Sequence, residues 1–326
     1  MSQTEASPRP GLWEAAEREM REYQFAGDLR AQPKWEIPKK MALQVALAGR
    51  FSQDEGAQHP TTIEAYLEDA RELIAAGASG IHLDFGFIYD DEGRRLDLHT
   101  PPVELFGSVI NPLREEFGQR FVSNVNVLSG KTFDECMSPA QAGLCEVAPC
   151  AAGHPIEFAV PAVDTLQQLG VKPEIVIHSP GEIELAKRRF IDTGLLQKPY
   201  YFIILYGLPF ESGRSLLAGT WVPNAQDMAS QLFLMVNQLK SLDEDAQITV
   251  CAAGRATFYM TTLATMLGLH VRVGTEDTMW RSPLSDEIVA SNAEMLDRAR
   301  AIAELLGREV ATADEYRTAI GLRPAV

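Results

Sequence analysis

Long hydrophobic runs are missing from this 326-residue chain. The longest apolar stretch, around Tyr200–Leu208, has the length of a strand and falls far short of the ~20 residues that span a bilayer. Basic runs are missing too. The 45 acidic residues outnumber 29 basic ones for a formal charge of −16, and no dense Lys/Arg segment offers a landing site for phosphate backbones or anionic lipids. Nucleic acid and membranes are therefore not expected as partners, whereas a small anionic substrate in a private basic pocket is compatible with this surface. Cysteine is scarce. Cys136, Cys145, Cys150 and Cys251 form no Cys-x-x-Cys pair, and a chain of this size needs no covalent staples, so four free thiols in a reducing cytoplasm are expected. Met1–Gly11 is polar, without the basic–apolar–cleavable pattern of a secretory signal.

What is present is alternation. Residues 1–40 read as an N-terminal arm, with helical spacing over Trp13–Gln24 and then Pro33 and Pro38 as breakers. From Met41 onward, apolar runs of strand length alternate with amphipathic helical stretches. The strands are read at Leu43–Ala48, Ile81–Phe85, Phe121–Val127, Leu144–Val147, Glu174–His178, Tyr200–Tyr206, Gln247–Ala252 and His270–Gly274. Helices are read at Ile63–Ala76, Pro101–Phe117, Phe133–Ala142, Pro161–Leu169, Glu182–Thr193, Ala225–Leu239, Ala256–Leu267 and Asp286–Leu306. Strands apolar on both faces with short connections imply a parallel sheet. Eight such units favour closure, so residues 41–326 are expected to form a (β/α)8 TIM barrel with an N-terminal helical extension; an open doubly wound sheet is the alternative.

In such a barrel, polar residues at the C-terminal ends of strands mark the chemistry. His82 and Asp84 share one face of the second strand by period-two alternation. Together they can hold a metal or form an oriented base, or His82 can simply bond a neighbouring strand while Asp84 caps a loop. Arg272, flanked by Val271 and Val273, points inward, where a lone charge is costly; a carboxylate substrate or an acidic partner would explain it. Glu276 and Asp277 follow at the strand end, suited to a hard metal ligand or a general base, or to an ion pair with Arg272. His178 closes the fifth strand as a ligand, an acid/base or an ordinary loop histidine. Asn124 and Asn126, followed by Ser129 and Gly130, suit recognition of a carboxylate or oxyanion. Arg255 after the seventh strand offers a second cation.

The segment Gly268-Leu269-His270-Val271-Arg272-Val273-Gly274-Thr275-Glu276-Asp277, followed by Ser291-Asn292-Ala293-Glu294, resembles the signature of the β-keto acid cleavage enzymes, the 3-keto-5-aminohexanoate cleavage type among them. Supporting similarity lies in Ala75-Ala76-Gly77-Ala78, Gly170-Val171-Lys172-Pro173-Glu174, Gly254-Arg255 and Ala319-Ile320-Gly321-Leu322. The resemblance implies a metal-bound TIM barrel, usually a zinc enzyme and a homo-oligomer. It also implies a reaction that turns a β-keto acid and acetyl-CoA into acetoacetate and a new CoA thioester. Carried over, His82 and Glu276 are metal ligands, while Arg272 and Asp277 belong to the catalytic machinery.

The chain also departs from the pattern. Asp84 stands where the family has the second His of a His-x-His pair, and Gly86-Phe87 replace Arg-Asp. Arg50-Phe51 occupy the neighbourhood of an expected acidic residue, and Leu128-Ser129-Gly130-Lys131 replace a Ser-Thr-Gly-Gly turn. The expected metal set is thus His82, Asp84 and Glu276, with His178 as a further nitrogen donor. Zinc is the first expectation, with Mn or Fe compatible with two carboxylates. Asn126, Ser129 and Arg255 are the expected substrate contacts. Two other readings stay open: a metal-dependent lyase or hydrolase on another small carboxylic acid without CoA, and a non-catalytic metabolite-binding barrel.

Overall fold

The computed structural model describes residues 11–25, 33–48, 59–86, 88–206 and 224–323. By compactness the chain divides into Met1–Ile37 and Pro38–Val326. The first unit contains the helix Leu12–Phe25, one residue longer at each end than its spacing suggests.

In the second unit eight parallel strands close into a barrel in sequence order. They are β1 Leu43–Ala46, β2 Gly80–Leu83, β3 Val122–Val125, β4 Val147–Ala151, β5 Lys172–Ile177, β6 Tyr201–Tyr206, β7 Gln247–Ala252 and β8 His270–Val273. The expected (β/α)8 barrel is the fold. Around it run α1 Ile63–Ala75, α2 Pro102–Phe117, α3 Phe133–Gln141, α4 Ile156–Gln168, α5 Pro180–Ala186 continued by a π turn, α6 Ala225–Leu242, α7 Thr257–Met266 and α8 Asn292–Leu305. Thr62 caps α1 as its chemistry predicts, accepting from the Ala65 amide.

Three elements depart from the sequence reading by four residues or more, each for a local reason. The fourth strand is Val147–Ala151, later than Leu144–Val147, because Pro149 is tolerated inside it. Lys172 N donates to Glu146 O and Ala152 N to Val176 O, so even-numbered positions of β4 serve β5. Position 149 would serve β3, whose pairing with β4 stops at Asn124–Val147. Helix α4 starts at Ile156 and carries Pro161 inside it. Helix α8 starts six residues after Asp286, because Trp280 and Ile288 pair as an antiparallel bridge and Ser291 caps the helix through the Glu294 amide.

Two features absent from the sequence reading seal the N-terminal end. Lys40–Met41 pairs with Glu309–Val310, and the buried Arg308 donates to the carbonyls of Pro38, Lys40, Thr265, Gly268 and Leu269. A ninth helix, α9 Ala313–Ala319, brings Tyr316 under the barrel, where its hydroxyl meets Gln44 and Tyr201. All four cysteines are buried free thiols; burial pushes Cys145 and Cys150 up to about 12, which disfavours their thiolate forms.

The barrel closes where β8 meets β1. Gly274 has φ of 154°, and a Cβ at this position would lie 1.9 Å from the Ala46 carbonyl oxygen. Only glycine permits that approach. Gly274→Ala is therefore expected to destabilise the fold by ~2–4 kcal/mol, read as a lower midpoint in chemical denaturation; an unchanged midpoint would contradict the closure described.

Asp69 on α1 receives a hydrogen bond from Asn292 Nδ2 of α8 at 2.6 Å. Burial raises its carboxyl to about 6, from 3.8. The fold favours the protonated form, so Asp69's contribution is complete below pH 3.8 and is lost as pH rises through about 6. Asp69→Asn keeps an acceptor and cannot ionise. It is expected to raise the thermal midpoint at neutral pH and to remove the decline between about pH 4 and 6, measured as stability against pH.

Candidate active site

Closure of β8 on β1 gathers the strand-end residues of β2 and β8. Ala46 is in register with His82, and the Glu276 amide donates to the Ala46 carbonyl. The loop after β8 is braced from α8: Asn292 Oδ1 accepts from Thr275 N, and its Nδ2 donates to the Leu47 carbonyl and Thr275 Oγ1. Thr275 Oγ1 donates to that same carbonyl. This brace is the structural reason for Ser291-Asn292 downstream of the strand-eight motif.

His82 Nε2 then lies 3.6 Å from Glu276 Oε1, with both side chains 2% exposed. Arg272 points inward as its alternation predicts. Its Nε and Nη2 clasp Asp277 at 3.2 and 2.6 Å, and Nη2 also donates to Glu276 Oε1 at 3.1 Å. Among the described residues Arg272 Nη1 makes no hydrogen bond, and Glu276 Oε2 is buried without a partner. Burial by itself disfavours the Arg272 charge, and the adjoining Asp277 and Glu276 carboxylates reverse this, holding the guanidinium well above its ordinary range. At His82, burial pulls the pKa down, Glu276 pulls it up, and Arg272 opposes; the net direction is upward.

The structure therefore brings His82, Glu276, Arg272 and Asp277 together. Asp84 is buried beside them; its Oδ2 accepts from Asn126 Nδ2 at 2.8 Å, and its charge contributes to the rise at His82. Asn126 Oδ1 accepts from the Leu128 amide, so both ends of this expected substrate contact are engaged by the protein. Ser129 Oγ turns back to the Asn126 carbonyl, in a turn where Gly130 packs against the Glu135–Cys136 backbone too closely for a Cβ.

Two further expected site residues have partners of their own. His178 follows β5, three strands round the closed ring from β2, and its Nδ1 and backbone amide both meet Glu182 Oε2, at 2.9 and 2.6 Å. Although its neighbour Gly254 donates to the Asp277 carbonyl at 2.8 Å, Arg255 has partners of its own. It bonds Asp286 and the Ser285 carbonyl, and its guanidinium sits 3.9 Å from the Trp280 ring centroid. Arg50, Phe51, Phe87 and the Gly/Pro loop after the sixth strand lie outside the described residues.

Sequence reasoning missed Gln44 and Glu174, and gave Asn124 a different role. Asn124 Oδ1 meets His82 Nδ1 at 3.1 Å, while its Nδ2 donates to Gln44 Oε1 and Glu174 Oε2. The available signal was a polar residue at an inward position of an otherwise apolar strand.

Chemically, two electron-rich atoms, His82 Nε2 and Glu276 Oε1, face each other at 3.6 Å, beyond hydrogen-bond reach and wide enough for a cation between them. The ring is held from behind at Nδ1, the usual support of a metal-ligating imidazole. Glu276 Oε2 supplies a further unpartnered buried oxygen. These two side chains fit a divalent ion. Among the described residues no three His, Cys, Asp or Glu side chains group as such a site. Arg272, oriented by Asp277, is an anion-binding group fixed in place.

Residues 40–322 match the family model of the beta-keto acid cleavage enzymes. The chain is 28% identical over 299 residues to a 3-keto-5-aminohexanoate cleavage enzyme of Fusobacterium nucleatum subsp. nucleatum, covering 87% of this chain and 99% of that one. It is 25% identical over 293 residues to the 3-dehydrocarnitine:acetyl-CoA trimethylamine transferase of Rhizobium meliloti, covering 81% and 90%. Among solved structures, apo ObcA superposes with a TM-score of 0.64 at 18% identity, over 81% of this chain and 66% of that chain. That likeness shows a shared fold, with this chain spanning just under two thirds of ObcA.

Removing one partner of a buried ion pair leaves the other uncompensated. Asp277→Ala is expected to cost ~3–5 kcal/mol of stability, with Asp277→Asn less damaging because it still accepts from Arg272. Equal denaturation midpoints for Asp277→Ala and the parent chain would refute this account of the pair.

Proposed function

This chain belongs to the beta-keto acid cleavage enzyme family, and from that premise we propose that it cleaves the carbon–carbon bond of a β-keto acid and transfers the acyl group to CoA. The bond between the keto carbon and the carboxylate-bearing methylene breaks. The acyl group passes to the CoA sulfur, and the carboxymethyl fragment takes the acetyl group of acetyl-CoA to become acetoacetate. The relatives support this reading: one is named for cleavage of a keto acid and another for a transfer involving acetyl-CoA.

The observation that carries it is the buried Arg272–Asp277–Glu276–His82 cluster at the barrel mouth. Arg272, locked by Asp277, presents Nη1 to the substrate carboxylate or keto oxygen, where a fixed guanidinium neutralises negative charge without reorganising. His82 and Glu276 would hold a divalent metal, zinc first and Mn or Fe as alternatives, with Asp84 on the same strand face as the third donor. Bound there, it would supply Lewis-acid polarisation of a carbonyl oxygen. Asn126 orients Asp84, and the water-poor surroundings strengthen every charge in the cluster.

A second reading has its own support. Asp84 makes the site richer in carboxylate than a His-x-His pair would, which favours a related cleavage or hydrolysis of a small acid without CoA.

The test is a panel of β-keto acids incubated with and without acetyl-CoA and followed by mass spectrometry. Acetoacetate formed only with acetyl-CoA is expected. Turnover without CoA selects the second reading, and no turnover under either condition removes both. Arg272→Lys, which loses the fork, is expected to lower kcat/KM ~10²–10³-fold.

A further inference from the structure

Beneath His82 the barrel interior is polar at positions where apolar packing would be simpler. Gln44, Asn124 and Glu174 are all fully buried, as are Tyr201 and Tyr316, and their hydrogen bonds form one connected column. Its root is Glu174, whose two oxygens accept from three donors: Tyr201 Oη at 2.7 Å, Gln44 Nε2 at 3.4 Å and Asn124 Nδ2 at 3.0 Å. Both amides turn their nitrogens toward it.

That orientation propagates upward. Gln44 Nε2, facing Glu174 and the hydroxyls of Tyr201 and Tyr316, leaves Gln44 Oε1 to take Asn124 Nδ2 at 3.1 Å. Asn124 Nδ2 thus lies between two acceptors, and its Oδ1 is the end that meets His82 Nδ1 at 3.1 Å. An amide oxygen cannot donate, so Nδ1 must carry the hydrogen. In the neutral ring Nε2 is then bare, and it is Nε2 that faces Glu276.

We propose that Asn124, aimed from below by Glu174 and Gln44, is the positioning residue that fixes His82 as its Nδ1–H tautomer and presents the Nε2 lone pair to the site. The inference rests on the catalytic reading of His82 above and deepens it. The opposite tautomer would set His82 Nδ1 and Asn124 Oδ1, two acceptors, face to face at 3.1 Å; on the other side of the ring Nε2 and Glu276 Oε1 are wider apart, at 3.6 Å, on the face left for a cation.

The experiment uses the full chain with ¹⁵N-labelled histidine, observed by two-bond ¹H–¹⁵N correlation at a pH where the ring is neutral. His82 is assigned by the peaks lost in His82→Gln. The expected result is a hydrogen on Nδ1; a hydrogen on Nε2 overturns the proposal, and neither result requires turnover or a folded Asn124 variant. Absence of activity on the β-keto acid panel together with an Nδ1–H signal would remove the functional reading and leave the tautomer assignment intact. The second arm exchanges polarity. Asn124→Asp sets acceptors against Glu174 and Gln44, and is expected to weaken Zn²⁺ binding ~10–100-fold, read by competition with a chromogenic chelator. In the double variant N124D/E174Q the new Gln at 174 donates, Gln44 turns over, and one Asp oxygen at 124 is free to accept from Nδ1–H. Recovery of Zn²⁺ affinity to within about fivefold of the parent is expected. A folded double variant, judged by circular dichroism, that binds no better than N124D overturns the mechanism of aiming.

Discussion

The contact between Gly274 and the Ala46 carbonyl is the constraint from which the site follows. Closing eight strands forces the last against the first, and here the backbones meet too closely for any side chain at position 274. The chain then turns over the end of β1, where Thr275 and Asn292 tie it to Leu47. Ala46 is in register with His82 on its other side. Two residues from distant parts of the chain, His82 and Glu276, are thereby brought within 3.6 Å inside the barrel mouth. A looser closure would leave Glu276 in solvent, where its charge would be screened and its partner lost.

That placement is electrostatically demanding. Burial opposes the charged forms of His82 and Arg272; Glu276 and Asp84 reverse the balance at His82, and Asp277 and Glu276 reverse it at Arg272. The interior is divided accordingly. A hydrogen-bonded column through Gln44, Asn124 and Glu174 stands beneath His82, while Ala151, Val176, Ile203 and Cys251 form an apolar cluster from β4, β5, β6 and β7. Chemistry is concentrated on the β8–β1–β2 wall. His178 and Glu182, across the ring, satisfy each other.

Much of this was legible beforehand, for reasons that differ by residue. Buried strands of a parallel barrel read as apolar runs, so β6 and β7 could be read almost to the residue. The Pro in β4 obscured that strand, because whether a missing N–H matters depends on which neighbour the position faces. Inward charges such as Arg272 announce themselves by alternation with valines. Arg255 and His178 show the limit of the same reasoning. A polar residue at a strand end is recognisable, but its partner depends on ring position and side-chain reach, and Asp286 and Glu182 reached them first.

By itself the sequence determined the (β/α)8 class, the inward faces of β2, β3 and β8, and the candidacy of His82, Arg272, Glu276 and Asp277. These follow from periodicities of two and 3.6 and, for Glu276 and Asp277, from a position just past a strand end, all local properties of the chain. Tertiary structure alone decided that Glu276 meets His82, that Asn124 serves the histidine ring, and that Gln44, Glu174 and Tyr316 stand behind it. Each of those is a hydrogen-bond or ion-pair contact between segments far apart in sequence. Period-two alternation says which way a side chain points, and only the closed ring, with its register and its plugging helix, says what it meets there.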